Sequence, residues 1–279
     1  MHIRTWKCGR FTLRLDAPLV MGIVNVTPDS FSDGGEFEDP ANAVAQGEQL
    51  IAQGAAILDV GGESTRPGSD PVGIAEELAR VRPVVLRLSA EGLPISVDTR
   101  NPEVARACVE AGASVVNDIS GFTDPEMLDV AVSTSCGVVV MHMAGEPKTM
   151  QAAPHYDDVV AEVGGFLLAQ AVALEAAGVS QDRIVLDPGI GFGKTLEHNL
   201  ELLRGLPRLV DLGYPLLVGV SRKRFIGEIT GVDDPRARLG GSLGAAIEAA
   251  RAGAAVLRVH DVGATVQALA VSRAIATGE

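Results

Sequence analysis

Residues 94–120, PISVDTRNPEVARACVEAGASVVNDIS, contain the pattern from which we predict the fold. A short hydrophobic run, Pro94–Val97, is followed by an amphipathic stretch, Pro102–Ala111, that ends at Gly112. A second hydrophobic run, Ser114–Ile119, comes next. Continuous hydrophobic runs are typical of parallel strands that are buried on both faces. The segment therefore predicts a strand, a crossover helix and a second strand parallel to the first.

The same strand-and-helix unit occurs eight times along the chain. The predicted strands are Leu19–Val26, Ala56–Val60, Pro94–Val97, Ser114–Ile119, Gly137–Met141, Arg183–Leu186, Pro215–Val220 and Ala255–His260. The predicted helices are Pro40–Gln53, Gly73–Ala90, Pro102–Ala111, Asp124–Thr134, Tyr156–Ala177, Leu196–Leu206, Arg236–Ala252 and Ala264–Ala276. Many of the helices end at a glycine of the C-cap type, namely Gly54, Gly112, Gly178, Gly213 and Gly253. Eight such units without a low-complexity linker favour an α/β fold of the (β/α)8 TIM-barrel type over an open doubly wound sheet.

The chain length fits one barrel with a small addition at its beginning. A (β/α)8 barrel needs about 250 residues, and the chain has 279. The segment Thr5–Leu15 alternates between polar and apolar residues, which predicts a short hairpin. We therefore divide the chain into a hairpin at the barrel bottom, residues 1–18, and a barrel domain, residues 19–279.

Composition excludes several classes of protein. The formal net charge is −13, whereas nucleic-acid binding needs a basic surface. Three separated cysteines, Cys8, Cys108 and Cys136, form neither a disulfide framework nor a zinc motif. The N-terminal residues lack the apolar segment of a signal peptide, and no uninterrupted apolar run of 18 residues exists. We expect a cytoplasmic protein that binds neither nucleic acid nor membrane.

Polar residues follow the hydrophobic part of every predicted strand. In a barrel the carboxyl ends of all strands meet at one face, where the active site forms. The acidic and amide group at this face is Asp98, Asn117 and Asp187, and the ionisable group after the last two strands is Lys223, Arg258 and His260. Carboxylates suit a guanidine-like ligand edge, and the last two loops of this fold usually bind phosphate. The sequence predicts a pocket with one acidic and one basic side.

Several polar residues at the strand ends have alternative interpretations. Asp98 could instead cap the following helix, and Arg222 and Arg224 could simply be solvated. We predict that His142, His155 and His198 are core or loop residues. The segment GIGFGKT, residues 189–195, matches neither the P-loop nor the dinucleotide-binding pattern.

The strand-end segments resemble dihydropteroate synthase, the folate-pathway enzyme that sulfonamides target. The matching segments, in the family's order, are GIVNVTPDSFSDGG (22–35), DVGGESTRPG (59–68), SVDT (96–99), NDISG (117–121), MHMAGEPKTMQ (141–151), DPGIGFGK (187–194), GVSRKRFIG (219–227) and RVHDV (258–262). The resemblance covers the chain from about Leu19 onward. It implies that the pyrophosphate ester of 6-hydroxymethyl-7,8-dihydropterin condenses with p-aminobenzoate to give 7,8-dihydropteroate and pyrophosphate.

The resemblance also implies roles for individual residues. Asp98, Asn117 and Asp187 would bind the pterin edge, Met141 and Phe192 would line its slot, and Gly219 would permit close backbone approach. Lys223 would orient the reacting region, Arg258 would cover the pterin face, and His260 and Asn25 would help to hold the pyrophosphate. Asn25 would also bind Mg²⁺, with diphosphate oxygens and waters completing the shell. A homodimer through the last βα units is implied as well.

Two long loops complete the site that the resemblance implies. Loop 1 (Val26–Gly35) and loop 2 (Gly62–Gly68) would close over the substrates and exclude water. The aminobenzoate pocket would contain Phe31, Thr65, Arg66 and Pro67, and catalytic roles fall to Lys223, Asp33, Thr65 and Arg66. Asp33 and the departing diphosphate could stabilise a pterin-methylene cation. One departure from the family is Arg224, where serine is common, so the aminobenzoate carboxylate would rely on N–H groups of the following helix.

Two other functions compete with the synthase. A methyltransferase that binds a methylated pterin on the same type of barrel would share the Asp and Asn set but needs no diphosphate site. A non-catalytic relative would have lost the loop motifs. The complete SRK and RVH segments and both loops favour the synthase.

Overall fold

A computed structural model describes residues 5–26, 40–64, 72–145, 149–151 and 154–278. The strands are β1 (Thr5–Cys8), β2 (Phe11–Arg14), β3 (Leu19–Asn25), β4 (Ile57–Gly61), β5 (Ile95–Asp98), β6 (Val115–Asp118), β7 (Gly137–Met141), β8 (Ile184–Asp187), β9 (Leu217–Val218) and β10 (Val256–Val259). The helices are α1 (Pro40–Ala52), α2 (Ile74–Leu88), α3 (Pro102–Glu110), α4 (Pro125–Ser133), α5 (Val159–Ala176), α6 (Leu196–Arg204), α7 (Leu206–Val210), α8 (Arg224–Thr230), α9 (Leu239–Arg251) and α10 (Val262–Thr277).

Strands β3 to β10 form a parallel, nearly closed barrel, which confirms the predicted fold class. The strand order is β8-β7-β6-β5-β4-β3-β10-β9. The two ends of this order meet at an isolated parallel bridge between Leu186 and Leu216, where Leu186 N–H donates to Pro215 O at 2.9 Å. The five predicted C-cap glycines all have positive φ, which places the chain reversal before each next strand: Gly54, Gly112, Gly178, Gly213 and Gly253.

Side chains of the barrel interior lie in layers that follow from the two-residue period of a strand. The lowest layer is apolar and contains Met21, Ile57, Val115, Val139, Val185, Leu217 and Val256. Two residues further along the strands the interior becomes polar, with Asp59, Ser96 and Arg258 buried or half-buried. The same step from the lowest layer reaches Asn117, Met141 and Asp187 at the ends of β6, β7 and β8. A second step of two reaches Asn25 at the end of β3 and, from Ser96, Asp98 at the end of β5. The polar layers therefore lie at the carboxyl end of the barrel.

The predicted N-terminal hairpin is present and caps the opposite end. β1 pairs antiparallel with β2, and Trp6 and Cys8 pack fully buried against the lowest interior layer. Trp6 Nε1 donates to Arg183 O at 2.9 Å, which ties the hairpin to the residue before β8. The hairpin thus closes the apolar end of the barrel and leaves the polar end to the loops.

Three predicted elements differ from the structure. The strand predicted at Pro215–Val220 is only Leu217–Val218, extended by the bridge at Leu216. The helix predicted at Leu196–Leu206 ends at Arg204, because Pro207 has no N–H for a continuous helix and starts α7 instead. The helix predicted from Arg236 begins at Leu239 after a 3₁₀ turn, and α8 was not predicted.

One helix, α5, is long and apolar enough to cross a membrane by length and composition. It contains Glu162 and Glu175, so it is not the uninterrupted apolar run that the sequence lacks. Its buried residues, which include Val163, Leu167 and Leu174, belong to the large core cluster between helices and sheet. Packing against the sheet accounts for the apolar residues on the buried face of α5, whereas Leu168 and Val172 are exposed.

Candidate active site

A pocket opens at the carboxyl ends of the barrel strands. Its lining is Asp98, Asn117, Ile119, Met141, Asp187, Gly189, Ile190, Phe192, Gly219, Lys223 and Arg258. The predicted residues Asp98, Asn117, Met141, Asp187, Phe192, Gly219, Lys223 and Arg258 are thus brought together in one cavity. Ile119, Gly189 and Ile190 complete the lining and were not predicted. The pocket contains the whole acidic and amide group and, from the ionisable group, Lys223 and Arg258.

The acidic side of the pocket offers hydrogen-bond acceptors to a ligand. Within the described ranges, Asp98 Oδ1 and Asn117 Oδ1 are buried and have no hydrogen-bond partner. Asp187 Oδ1 accepts from Gly189 N–H at 2.7 Å, and burial raises the pKa of Asp187 above its usual value. Buried acceptors without partners are unfavourable, so this wall is suited to a ligand that brings several N–H donors.

Arg258 connects the acidic side to the barrel interior. Its Nε donates to Asp59 Oδ2 at 2.6 Å, and its Nη2 donates to Asp98 Oδ2 at 2.5 Å. Asn117 Nδ2 also donates to Asp59 Oδ2, at 3.3 Å. Burial lowers the pKa of Arg258, but Asp59 and Asp98 outweigh burial and raise that pKa above its ordinary value. Arg258 is therefore a fixed cation, and Asp98 keeps its other oxygen for a ligand.

Asp59 is a site residue to which the sequence analysis gave no role. It is fully buried and fixes both Arg258 and Asn117. The signal for it was present in the strand pattern, because Asp59 is the one charged residue in Ile57–Gly61 and has the same parity as the inward-facing Ile57. A carboxylate in the middle of a buried strand requires a partner, and Arg258 is that partner.

Lys223 lines the pocket beside the aromatic ring of Phe192. Its Nζ lies 4.1 Å from the centroid of the Phe192 ring, a cation–π distance. Burial, followed by the charge of Arg258, lowers the pKa of Lys223 to about 8, although the carboxylates of Asp187 and Asp98 oppose this shift. Near neutral pH the amine is thus mostly protonated, yet it loses its proton more easily than a solvated lysine does.

His260 and Asn25 lie near the pocket without lining it. Asn25 ends β3, and His260 follows β10, which is the neighbour of β3 in the sheet. His260 N–H donates to Ser221 Oγ at 3.2 Å, and its Nδ1 is 3.1 Å from the same oxygen. Burial, followed by Arg222 and Arg258, lowers the pKa of His260 to about 3. His260 is therefore neutral near pH 7, so it adds a polar group and not a second positive charge.

The two arginines that flank Lys223 point elsewhere. Arg222 donates to both oxygens of Asp261, at 3.0 and 2.5 Å, so it is not simply solvated. Arg224 is 76% exposed and pairs with Glu228 at 2.7 Å, one turn further along α8. Neither guanidinium lines the pocket.

Other polar residues at the strand ends support the loops. The carboxylate of Asp118 accepts from Ser120 N–H at 2.8 Å and Phe122 N–H at 2.7 Å, so it shapes the turn after β6 and does not face the pocket. Thr99 Oγ1 accepts from Asn101 N–H at 3.1 Å. The interpretation of Asp98 as a helix cap is wrong, because its oxygens bond to Arg258 and face the pocket.

The turn after β8 brings a buried lysine behind the pocket wall. Lys194 Nζ lies 3.0 Å from His142 Nδ1 and donates to Phe192 O at 3.0 Å. Burial lowers the pKa of Lys194 to about 7 and the pKa of His142 to about 3. Gly189 allows this packing, because a Cβ on it would lie 1.9 Å from His142 O. Lys194 thus links the turns after β7 and β8, a role that the sequence did not predict.

The remaining histidines occupy structural positions. His198 takes part in the capping box of α6 with Thr195, and His155 is an exposed residue 3.6 Å from Asp157. His155 agrees with the prediction of a loop histidine, whereas His198 is a half-buried residue in the first turn of α6 and is therefore neither a loop nor a core residue. Five predicted site residues lie outside the described residues: Phe31, Asp33, Thr65, Arg66 and Pro67.

Within the described ranges, no group of three or more His, Cys, Asp or Glu side chains is placed to hold a metal ion. Asn25 offers a single neutral oxygen at the end of β3. Such a donor fits a hard ion that takes most of its ligands from substrate oxygens and water, as Mg²⁺ does. It does not fit a permanently bound structural metal.

Comparisons with known proteins show which family this chain belongs to. Residues 21–260 match the model of the family described as "Pterin binding enzyme". The dihydropteroate synthase of Neisseria meningitidis serogroup C is 50% identical over 273 residues, which cover 96% of each chain. The structure of Xanthomonas albilineans dihydropteroate synthase with 4-aminobenzoic acid is 52% identical, has a TM-score of 0.93 and covers 98% of both chains. The structure of the Xanthomonas enzyme in complex with 7,8-dihydropteroate is 50% identical, with a TM-score of 0.90, and covers 98% of this chain and 99% of the other.

Proposed function

The chain belongs to the pterin-binding enzymes and, among them, to the dihydropteroate synthases, and from this premise we propose how its residues carry out the reaction. The enzyme is a transferase that condenses 6-hydroxymethyl-7,8-dihydropterin pyrophosphate with p-aminobenzoate in folate biosynthesis. The amine nitrogen forms a bond to the exocyclic methylene carbon, the bond from that carbon to oxygen breaks, and pyrophosphate leaves. The observation that carries the assignment of the site is the pocket in which unpartnered acceptors face a lysine and an arginine.

The pterin binds with its guanidine-like edge against the acidic wall. Asp98 Oδ1 and Asn117 Oδ1 accept its N–H groups and thereby gain the partners that they otherwise lack. Asp187 forms the end of the wall, and Met141 and Phe192 supply apolar contacts along the ring. Gly219 lines the pocket and has no side chain, so the ligand can lie close to the backbone at this position. Recognition thus combines charge-assisted hydrogen bonds with a flat apolar slot.

Lys223 and Arg258 act on the reacting end. Lys223 contacts the pterin and orients the methylene group toward the diphosphate side. Arg258, held by Asp59, keeps its positive charge throughout the reaction. Charge accumulates on the departing diphosphate, and a fixed cation nearby favours that charge in the transition state. The course is dissociative, and no strong base is required because an aryl amine is already nucleophilic.

Asn25 and His260 complete the diphosphate side. Asn25 would hold Mg²⁺ through its one side-chain oxygen, and the diphosphate and water would supply the other oxygen ligands. When bound, this ion neutralises diphosphate charge and so improves the leaving group. His260 is neutral and contributes hydrogen bonding only, since its pKa is far below neutral pH.

The aminobenzoate site is formed by the two loops after β3 and β4. The family resemblance assigns the stabilisation of the pterin-methylene cation to Asp33 and catalytic roles to Thr65 and Arg66. It assigns binding of the aminobenzoate ring to Phe31 and Pro67, and all five residues lie outside the described ranges. The carboxylate takes backbone N–H groups at the start of α8, since Arg224 pairs with Glu228. The enzyme acts in the cytoplasm as a homodimer, with helices of the last βα units forming the interface.

A pyrophosphate-release assay tests this assignment. Purified protein with the pterin pyrophosphate, p-aminobenzoate and Mg²⁺ should release pyrophosphate, and chelation of Mg²⁺ should suppress the release. Lys223→Ala should lower turnover by about 100-fold or more, because it removes an electrostatic contact made at the reacting end. Arg224→Ala serves as the matched control and should retain turnover within a few-fold. No pyrophosphate above background would defeat the function, and full turnover of Lys223→Ala would defeat the role of that residue.

A further inference from the structure

The turn that carries Lys223 has an unusual backbone. Residues Val220 to Lys223 form a four-residue turn in which Lys223 N–H donates to Val220 O at 3.4 Å. Arg222, the third residue of the turn, has a φ of 60° and so lies in the left-handed region. Type II turns need positive φ at this position and favour glycine there. A non-glycine residue keeps such a conformation only when its surroundings enforce it.

Two side chains from the start of α9 enforce it. Arg222 N–H donates to Ser242 Oγ at 2.9 Å, and Arg238 Nη1 donates to Arg222 O at 3.1 Å and to Lys223 O at 3.2 Å. Arg238 and Ser242 are four residues apart, and Ser242 Oγ donates in turn to Arg238 O at 2.8 Å. One helical turn therefore bonds both backbone polar groups of Arg222.

All three guanidinium nitrogens of Arg238 donate to backbone carbonyls. Its Nε donates to Val232 O at 2.9 Å and its Nη2 donates to Asp233 O at 2.7 Å. It therefore spans four backbone carbonyls, a task that its rigid planar fork can perform and an ammonium cannot. Gly227 makes room for it, since a Cβ there would lie 2.6 Å from Arg238 Nη2.

The side chains of Arg222 and Lys223, which are adjacent in this turn, point in different directions. The Arg222 guanidinium leaves the pocket and pairs with both oxygens of Asp261. The Lys223 amine enters the pocket and lies 4.1 Å from the Phe192 ring. The left-handed conformation of Arg222 thus directs its own guanidinium to Asp261 and the amine of Lys223 into the pocket.

We infer that Arg238 and Ser242 are positioning residues for Lys223, because they hold Arg222 in the left-handed conformation that sends the lysine into the pterin pocket. The inference rests on the proposed role of Lys223. Neither positioning residue lines the pocket, so both act through the backbone of the turn. It also gives a function to a stretch, residues 238–242, that no step of the reaction uses.

Kinetics on single and double variants test the inference. Arg238→Met should lower kcat/KM ten-fold or more, with most of the loss in kcat, while Arg236→Met, an exposed arginine on the preceding turn, should remain within two-fold of the parent. Adding Arg222→Gly to Arg238→Met should restore activity at least three-fold, because glycine adopts positive φ without support. A purely structural role predicts no recovery or a further loss. Parent-like activity of Arg238→Met, or a double variant no better than the single one, would overturn the inference.

Ser242→Ala removes one oxygen and provides a second variant should Arg238→Met fail to fold. It should lower kcat/KM at least three-fold, and a parent-like value would count against the inference.

A readout that does not depend on activity separates this inference from the proposed function. The chain has four lysines, so reductive methylation with ¹³C-formaldehyde gives few NMR signals, and Lys223→Arg identifies the one from Lys223. In the parent this amine should titrate near its buried pKa of about 8, and in Arg238→Met or Ser242→Ala it should move toward 10.5 as the lysine leaves the pocket. An unchanged titration overturns the inference. Absence of pyrophosphate release by the parent would reject the proposed function while the NMR result still decides the role of the two residues.

Discussion

Lys194 shows how a single buried amine can make stability depend on pH. Its side chain is 3% exposed and bonded to His142 and Phe192. Its pKa of about 7 lies below the ordinary value of 10.5, and burial is the main cause. Between these two values the unfolded chain binds more protons at this position than the folded protein. The contribution of Lys194 to the free energy of unfolding must therefore rise with pH over that interval.

Lys194→Met should remove this dependence. From about pH 6.5 to about pH 9.5, the free energy of unfolding of the parent should increase by about 3 kcal/mol relative to the variant. Urea unfolding at both pH values measures the difference, and other titrating groups cancel because both proteins share them. Lys7→Met, at an exposed lysine paired with Asp182, should behave like the parent. Parallel pH profiles for the parent and Lys194→Met would show that Lys194 keeps a normal pKa in the folded protein.

Residue identities at the strand ends predicted the charged and amide residues of the pocket lining, and the family resemblance added Met141, Phe192 and Gly219. The partners behind the lining were harder to predict. Asp98, Asn117 and Asp187 follow hydrophobic runs, so their position in a barrel could be inferred from the sequence. Asp59 and Lys194 act through contacts that join distant parts of the chain, such as Asp59 to Arg258. Such pairs depend on the register between strands and on side-chain direction, which a single sequence does not specify.

At the level of elements, the turn after β8 depends on glycine at a defined place. Gly189 has a φ of 63°, and a Cβ there would lie 1.9 Å from His142 O. Gly189→Ala should cost about 2–4 kcal/mol of stability, since it adds backbone strain to an overpacked contact. It should also weaken pterin binding, because Ile190 and Phe192 line the pocket from the same turn.

Gly165→Ala is the matched control for this change. Gly165 lies on the exposed side of α5, and a Cβ there would meet nothing within 4 Å. The substitution should leave pterin affinity unchanged and stabilise the helix by up to about 1 kcal/mol. Denaturant unfolding and calorimetric titration with a pterin measure both effects. If Gly189→Ala matched the control in both, the close packing of this turn against the β7 loop would be wrong.

The elements that the sequence predicted least well are those whose ends depend on tertiary contacts. Strand β9 is two residues long because its neighbours pair with it only around Leu216–Val218. Helix α8 has seven residues, too few for a helical period to be recognised. By contrast, the seven-residue run of β3 and the longer amphipathic helices were predicted within a few residues, since burial on the barrel imposes a clear hydrophobic pattern.

In the whole molecule, the apolar residues that stabilise one end of the barrel lie far from the active-site pocket at the other end. Trp6 is fully buried at the hairpin end, whereas the pocket is at the opposite end. Trp6→Ala should lower the free energy of unfolding by about 3–5 kcal/mol. Its kcat/KM should stay within about two-fold of the parent at temperatures where the variant remains folded. Phe11→Ala, at a half-buried position of the same hairpin, should cost less, and a selective loss of activity in Trp6→Ala would contradict the separation.

The central claim is that one wall of the pocket binds the heterocycle and the other binds the diphosphate. Calorimetric titration of the parent, Asp187→Asn and His260→Ala with 6-hydroxymethylpterin and, separately, with pyrophosphate and Mg²⁺ tests it most directly. Asp187→Asn should weaken pterin binding at least ten-fold and leave pyrophosphate binding within two-fold, and His260→Ala should do the reverse. Equal losses for both ligands in either variant, or no loss in both, would contradict the two-walled pocket.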